Sequence, residues 1–86
     1  MDGQALEALI GRIKGYIEQP RTGFNFHGAE VLGNVIIVLI SRRGTVRRTN
    51  AASVRRMAAA GNALWADLDT LVAGTGMRVE MIAVGG

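Results

Sequence analysis

The first hydrophobic pattern along the chain is helical. Five apolar residues near the amino terminus fall at i, i+3, i+4, i+7 and i+11, which is one stripe of an amphipathic helix. These residues are Leu6, Leu9, Ile10, Ile13 and Ile17. Pro20 follows this stripe. Because the residue before a proline avoids helical backbone angles, we expect the helix to end before it.

Residues 21–30 show the two-residue alternation of a strand. Phe24 and Phe26 are expected on one face, with Asn25 and His27 on the other. Core packing is the favoured role for the two phenylalanines, because their neighbours are apolar. Stacking on nucleic-acid bases is the alternative role for them.

Residues 35–40 form the most apolar run of the chain, Val-Ile-Ile-Val-Leu-Ile. Its side chains are mostly β-branched, which favours a strand. Because the run does not alternate with polar residues, we expect both faces of this strand to be covered, as in a central strand. Gly33 and Asn34 precede it and predict a tight turn, so the two strands should form an antiparallel hairpin.

A second helix has the cleanest periodicity in the chain. We expect Asn50 or Ser53 to cap its start, and Gly74 and Gly76 to end it. Its apolar stripe runs for about five turns, and it places Trp65 in the core. The stripe consists of Val54, Met57, Ala58, Gly61, Leu64, Trp65, Leu68, Leu71 and Val72.

A last strand is predicted where Met77, Val79 and Met81 alternate with Arg78 and Glu80. It gives the chain an amphipathic element after the second helix. The crossover through that helix, from the central strand to the last, should be right-handed.

Together these elements predict one α+β domain over residues 1–86. Its order is α-β-β-(β)-α-β, where the strand in parentheses is a candidate third strand at residues 45–48. We expect a small two-layer sandwich, with both helices packed on one face of a sheet of three or four strands.

Composition excludes several classes of protein. The chain has no cysteine and one histidine, so disulfides and thiolate metal sites are excluded and a zinc site is not expected. There is no signal-peptide pattern, and the longest apolar run is far shorter than the roughly 20 residues that cross a bilayer. We therefore expect a cytoplasmic protein without membrane association, cofactor or metal.

The sequence does not predict an enzyme. It contains no phosphate-binding loop, no G-x-G-x-x-G and no nucleophile elbow. Asp67 and Asp69 are two positions apart on a helix, so they do not face each other. His27, on the polar face of a strand, is expected to be a surface residue.

Positive charge is concentrated in one segment, residues 42–56. This basic segment carries +6 while the whole chain carries +3, which leaves −3 for the rest. No acidic residue occurs between Glu30 and Asp67. The arginines of the basic segment are the predicted anion- or partner-binding residues: Arg42, Arg43, Arg47, Arg48, Arg55 and Arg56.

Arg55 and Arg56 fall in or near the first turn of the second helix. Cations there oppose the helix dipole by about 0.3–1 kcal/mol each. A helix N-terminus binds anions, and the guanidinium fork meets phosphate or carboxylate oxygens in pairs. We therefore predict an anion site at the start of this helix. Arg47 and Arg48 would approach it from the loop, and residues 42–43 would widen the patch.

Two families have a similar order of elements. The stretch Ser53-Val54-Arg55-Arg56-Met57-Ala58-Ala59-Ala60 is similar to the basic, alanine-rich last helix of double-stranded RNA-binding domains. The chain departs from that family in lacking its lysine pair and in adding a strand after the helix. The order α-β-β-α-β also resembles type II KH domains, but the G-x-x-G of their phosphate-clamping loop has no match in this sequence.

Two functions follow from these patterns. The first is a small non-enzymatic module that binds nucleic acid or another polyanion through the basic segment. The alternative is a protein–protein module, an adaptor or inhibitor, in which the arginines meet an acidic protein surface. In the alternative, the sheet edge or the second helix forms a homodimer.

Overall fold

The computed structural model describes residues 2–43 and 51–84, and in 51–57 it describes the side chains of Ala52, Arg55 and Arg56. Two helices and three strands follow one another in the predicted α-β-β-α-β order, so the α+β class is confirmed. Their bounds are α1 Gly3–Ile17, β1 Phe24–Leu32, β2 Val35–Arg42, α2 Ala51–Val72 and β3 Arg78–Ala83. The candidate third strand at 45–48 and the Asn50 cap lie outside the described residues, and the side chain of Ser53, the alternative cap, is outside them too.

Helix α1 begins at a capped N-terminus. The Asp2 carboxylate accepts a hydrogen bond from the Ala5 amide at 2.8 Å, which satisfies a backbone donor that the helix leaves free. The predicted stripe faces inward, with Leu9, Ile13 and Ile17 buried. The helix ends at Ile17, before the proline, as predicted.

The segment after α1 differs from the prediction at its start. Residues Pro20–Thr22 form a single 3-10 turn, so the strand begins at Phe24 and not at residue 21. The Thr22 hydroxyl donates to the Gln19 carbonyl at 3.0 Å and stabilises this turn. Proline fixes the backbone angle that the first position of such a turn requires.

The β1–β2 hairpin is antiparallel and turns at Gly33 and Asn34, as predicted. Gly33 has φ 62°, a left-handed angle that glycine adopts without a steric cost. The pairing register shifts between Phe26 and Gly28, which makes His27 the extra residue of a β-bulge.

Strand β3 pairs with β2 in parallel, so β2 lies in the centre of the sheet, as predicted. A parallel neighbour needs a crossover connection, and α2 provides it. After α2, Gly74 and Gly76 have φ 79° and 78°, and they reverse the chain into β3. These two glycines end the helix in the predicted way.

Both helices pack on one face of the sheet and form the core with it. On β2, the residues that point to this covered face are Ile36, Val38 and Ile40, all buried. The residues between them point to the other face, which we call the open face. We expected cover on both faces of β2; within the described chain, the helices supply it on one face only.

Helix α2 contributes Leu64, Leu68 and Val72 to the core, with Leu71 partly buried. The assignment of Trp65 to the core was wrong, because its side chain is 40% exposed. One residue rotates the helix by about 100°, so Trp65 lies on the flank of the stripe and away from its buried centre at residues 64 and 68. The side chains of two other predicted stripe residues, 54 and 57, lie outside the described part.

Candidate functional site

The basic segment spans the carboxyl end of β2 and the amino end of α2. Arg42 ends the central strand and Arg43 follows it, while Arg55 and Arg56 lie in the first two turns of α2. Arg47 and Arg48 fall within 44–50, outside the described residues. Because α2 leads from β2 to a parallel β3, it starts beyond the carboxyl ends of both strands and runs back along the sheet.

The two halves of α2 have different surroundings. Over residues 51–59, every described side chain is exposed, namely Ala52, Arg55, Arg56, Ala58 and Ala59. Among the described side chains of α2, contact with the core begins at Ala60 and continues through Leu64 and Leu68. The helix of 22 residues is about 33 Å long, so Arg55 and Arg56 lie about 18–20 Å along its axis from Leu68. Arg55 and Arg56 are therefore accessible to a ligand.

Arg43 has a structural role in the hairpin. Its Nη2 donates to the Phe24 carbonyl at 2.8 Å, and its Nε donates to the Asn25 side chain at 3.1 Å. Charge-assisted hydrogen bonds of this kind fix the orientation of a guanidinium. Arg42, its half-buried neighbour, is paired with Phe24 across the hairpin. Arg42 and Arg43 are thus both held against the first strand of the hairpin.

A polar cluster on the open face was not predicted. His27 Nε2 lies 2.6 Å from Ser41 Oγ, and the Asn25 amide lies 3.5 Å from the same oxygen. The bulge explains the cluster, because its extra residue lets both Asn25 and His27 point to the open face opposite Ser41. The alternation of the strand predicted that Asn25 and His27 share a face. It could not predict Ser41 as their partner, because that depends on a pairing register that the sequence does not specify.

A shallow cleft of about 160 Å³ lies between α1 and α2. Tyr16 on α1 donates a hydrogen bond to the Asp67 carboxylate on α2, and the Arg21 guanidinium stands 5.4 Å from the centre of the Tyr16 ring. The bond to Asp67 raises the pKa of Tyr16 above its ordinary value; desolvation and the negative charge of Asp67 are smaller causes in the same direction. This contact links the two helices at the surface of the molecule.

Other candidate chemistry is limited in the described part of the chain. Within residues 2–43 and 51–84, no three histidine, aspartate or glutamate side chains are grouped as a metal site would require. No helix of this part is long and apolar enough to cross a membrane. Comparisons with protein-family models, curated proteins and solved structures find no match to this chain.

Proposed function

We infer that this chain is a small non-enzymatic module that binds a polyanion, nucleic acid in the first place, through its basic segment. The observation that carries this proposal is the position of Arg55 and Arg56. Both side chains are exposed in the first two turns of α2, ahead of Ala60, where the described contacts of this helix with the core begin. Phosphate groups can approach them without disturbing the packed part of the fold.

Charge supports the same function. The sequence from Val31 to Ala66 contains no acidic residue, so the positive charge of the basic segment is not balanced within that stretch. The amino end of α2 adds the partial positive charge of the helix dipole. Successive helical residues are about 100° apart, so Arg55 and Arg56 point in different directions and suit neighbouring phosphates of one strand.

The experiment is a salt titration of binding to labelled duplex and single-stranded nucleic acid. Replacing Arg47, Arg48, Arg55 and Arg56 with Ala should weaken binding strongly. It should also reduce the slope of log affinity against log salt by about one for each arginine that contacts a phosphate. The melting temperature should be unchanged or slightly higher, because cations at a helix N-terminus oppose the dipole.

A matched pair of double variants sharpens this experiment. Arg55→Ala/Arg56→Ala removes two exposed cations from α2, and Arg12→Ala/Lys14→Ala removes two exposed cations from α1. Net charge changes equally, so a purely global charge effect would weaken binding equally. The proposal requires a larger loss in the α2 variant. Unchanged affinity of the quadruple variant in low salt would exclude this function.

The second candidate is a module that binds an acidic protein surface, and the exposure of Trp65 favours it. Tryptophan and arginine are the side chains most often found at energetic centres of protein interfaces. Here both occur on the exposed surface of α2. For a protein partner, salt should act mainly on the association rate, and Trp65→Ala should accelerate dissociation.

A further inference from the structure

The open face of the sheet has an apolar centre with a polar border. The apolar side chains on it are Leu32, Val35, Ile37, Leu39 and Ile82. Leu32 is 64% exposed and Ile82 is 49% exposed. The strand register brings Leu32 beside Val35 and Ile82 beside Leu39, so these side chains form one continuous patch. The hydrogen-bonded cluster at Ser41 forms the border at one end.

We propose that this open face binds the open face of a second copy of the chain, forming a two-fold symmetric dimer with helices outside and two sheets inside. The continuously apolar strand β2 is of the type that is covered on both sides. The helices pack on the covered face, which includes Ile36. The sheet of a second copy would pack on the open face, which includes Ile37. The proposal is independent of the polyanion-binding function.

The charges on the open face favour a second copy over a nucleic acid. Glu30 and Glu80 lie on either side of Ile37 in the sheet, so a polyanion would be repelled from its centre. The same face also has cationic and titratable groups. Arg78 lies 3.9 Å from Glu80, and His27, the unpaired residue of the bulge, lies beside Ser41 on the open face. A surface with both signs can be complementary to itself.

The positions of the acids also select the orientation of the two copies. A two-fold axis parallel to the strands would stack Glu30 on Glu80 of the second copy, which places like charges together. An axis perpendicular to the strands, between the levels of Ile37 and Leu39, places Ile37 on Leu39 of the second copy. It also places Glu30 opposite Gly28 of that copy, next to its His27 and away from its Glu80, and the copies meet with their strands antiparallel.

The size of the face indicates a reversible dimer. Three strands about 4.8 Å apart and six paired residues of about 3.3 Å each give a flat patch of about 14 Å by about 20 Å. Two such patches bury less area than the roughly 1,200–2,000 Å² of standard specific interfaces. We therefore expect a dissociation constant on the order of micromolar to hundreds of micromolar.

Sedimentation equilibrium over a concentration series tests the dimer. The mass should rise from 9.1 kDa toward twice that value. Leu39→Lys should weaken association by more than about tenfold, because it buries an unpaired charge in the interface. Ala8→Lys, at an exposed apolar residue of α1 outside the open face, should leave association unchanged. A parent chain that stays monomeric at about 1 mM, or a dimer that survives Leu39→Lys, overturns the proposal.

Cross-linking provides a second test that does not depend on the stability of a lysine variant. The native chain has no cysteine, so a single introduced thiol reports one position. With a short bismaleimide reagent, Leu39→Cys should give a covalent dimer and Ala8→Cys, on the exposed surface of α1, should not. Equal cross-linking of the two variants, or cross-linking of Ala8→Cys alone, would place any association elsewhere and overturn the proposed face.

Discussion

The two sides of the central strand β2 have similar residues and different neighbours. Ile36, Val38 and Ile40 are buried under the helices, while Val35, Ile37 and Leu39 stand on the open face. Hydrophobicity alone therefore does not say what covers a side chain. A fully apolar strand is stabilised when both of its faces are packed against other elements. The order of helices and strands along the chain decides which of the two faces its own helices can pack against.

The largest expected loss of stability comes from a substitution in α2, the helix that packs on the covered face of the sheet. Leu68 is fully buried in the core, so Leu68→Ala should lower the free energy of unfolding by about 2–5 kcal/mol. Trp65→Ala, at an exposed site of the same helix, should cost much less. Thermal or chemical denaturation of both variants measures the difference. If Leu68→Ala melted like the parent, the packing face of α2 would be wrong.

A conservative change in the sheet compares the sides directly. Ile36→Val removes one methyl group from the covered face and should cost about 0.5–1.5 kcal/mol. Ile37→Val removes the same group from the open face and should cost little when the protein is dilute and monomeric. Urea denaturation at low protein concentration checks this pair. Equal losses would mean that the open face is already covered within one chain.

The smallest expected effect lies at the surface of the helical layer. Tyr16→Phe removes the hydrogen bond to Asp67, and because both groups are exposed to solvent the cost should be at most about 1 kcal/mol at neutral pH. The pKa of Tyr16 is raised in the folded state, so the unfolded chain loses this proton first.

The Tyr16–Asp67 hydrogen bond therefore contributes fully to stability below the ordinary tyrosine pKa of about 10. Its contribution is lost as the pH rises through the higher pKa that Tyr16 has in the folded state. Denaturation of the parent and of Tyr16→Phe at a series of pH values measures it. A difference between the two proteins that stayed constant from pH 8 to strongly alkaline solution would contradict the assigned hydrogen bond.

Periodicity in the sequence was enough to predict the element order and most of the core. Residues that are close together in the sequence determine the helical stripe from Leu6 to Ile17, the turn at Gly33 and the central position of β2. Their spacing can therefore be read from the sequence alone. Trp65 was misassigned because a 3–4 spacing also admits residues on the flank of a stripe. The true centre of a buried stripe depends on where the neighbouring helix lies.

The candidate site was predictable in composition but not in geometry. The concentration of arginine in residues 42–56 is visible in the sequence. Tertiary contacts decide that Arg43 hydrogen-bonds to β1, while Arg55 is exposed near the start of α2. The Ser41 cluster could not be predicted, because a single extra residue at His27 sets the register that creates it.

The parallel pairing of β2 with β3 also has a consequence for how the chain folds. The β1–β2 hairpin closes across two residues, so its loop-closure entropy is small and it can form early. Strand β3 can join only after all of α2 has been positioned, which makes its contacts distant in sequence and slow to form. The open edge of β2 is consequently unpaired in any intermediate that contains the hairpin alone, and the time needed to position α2 sets how long this aggregation-prone edge stays exposed.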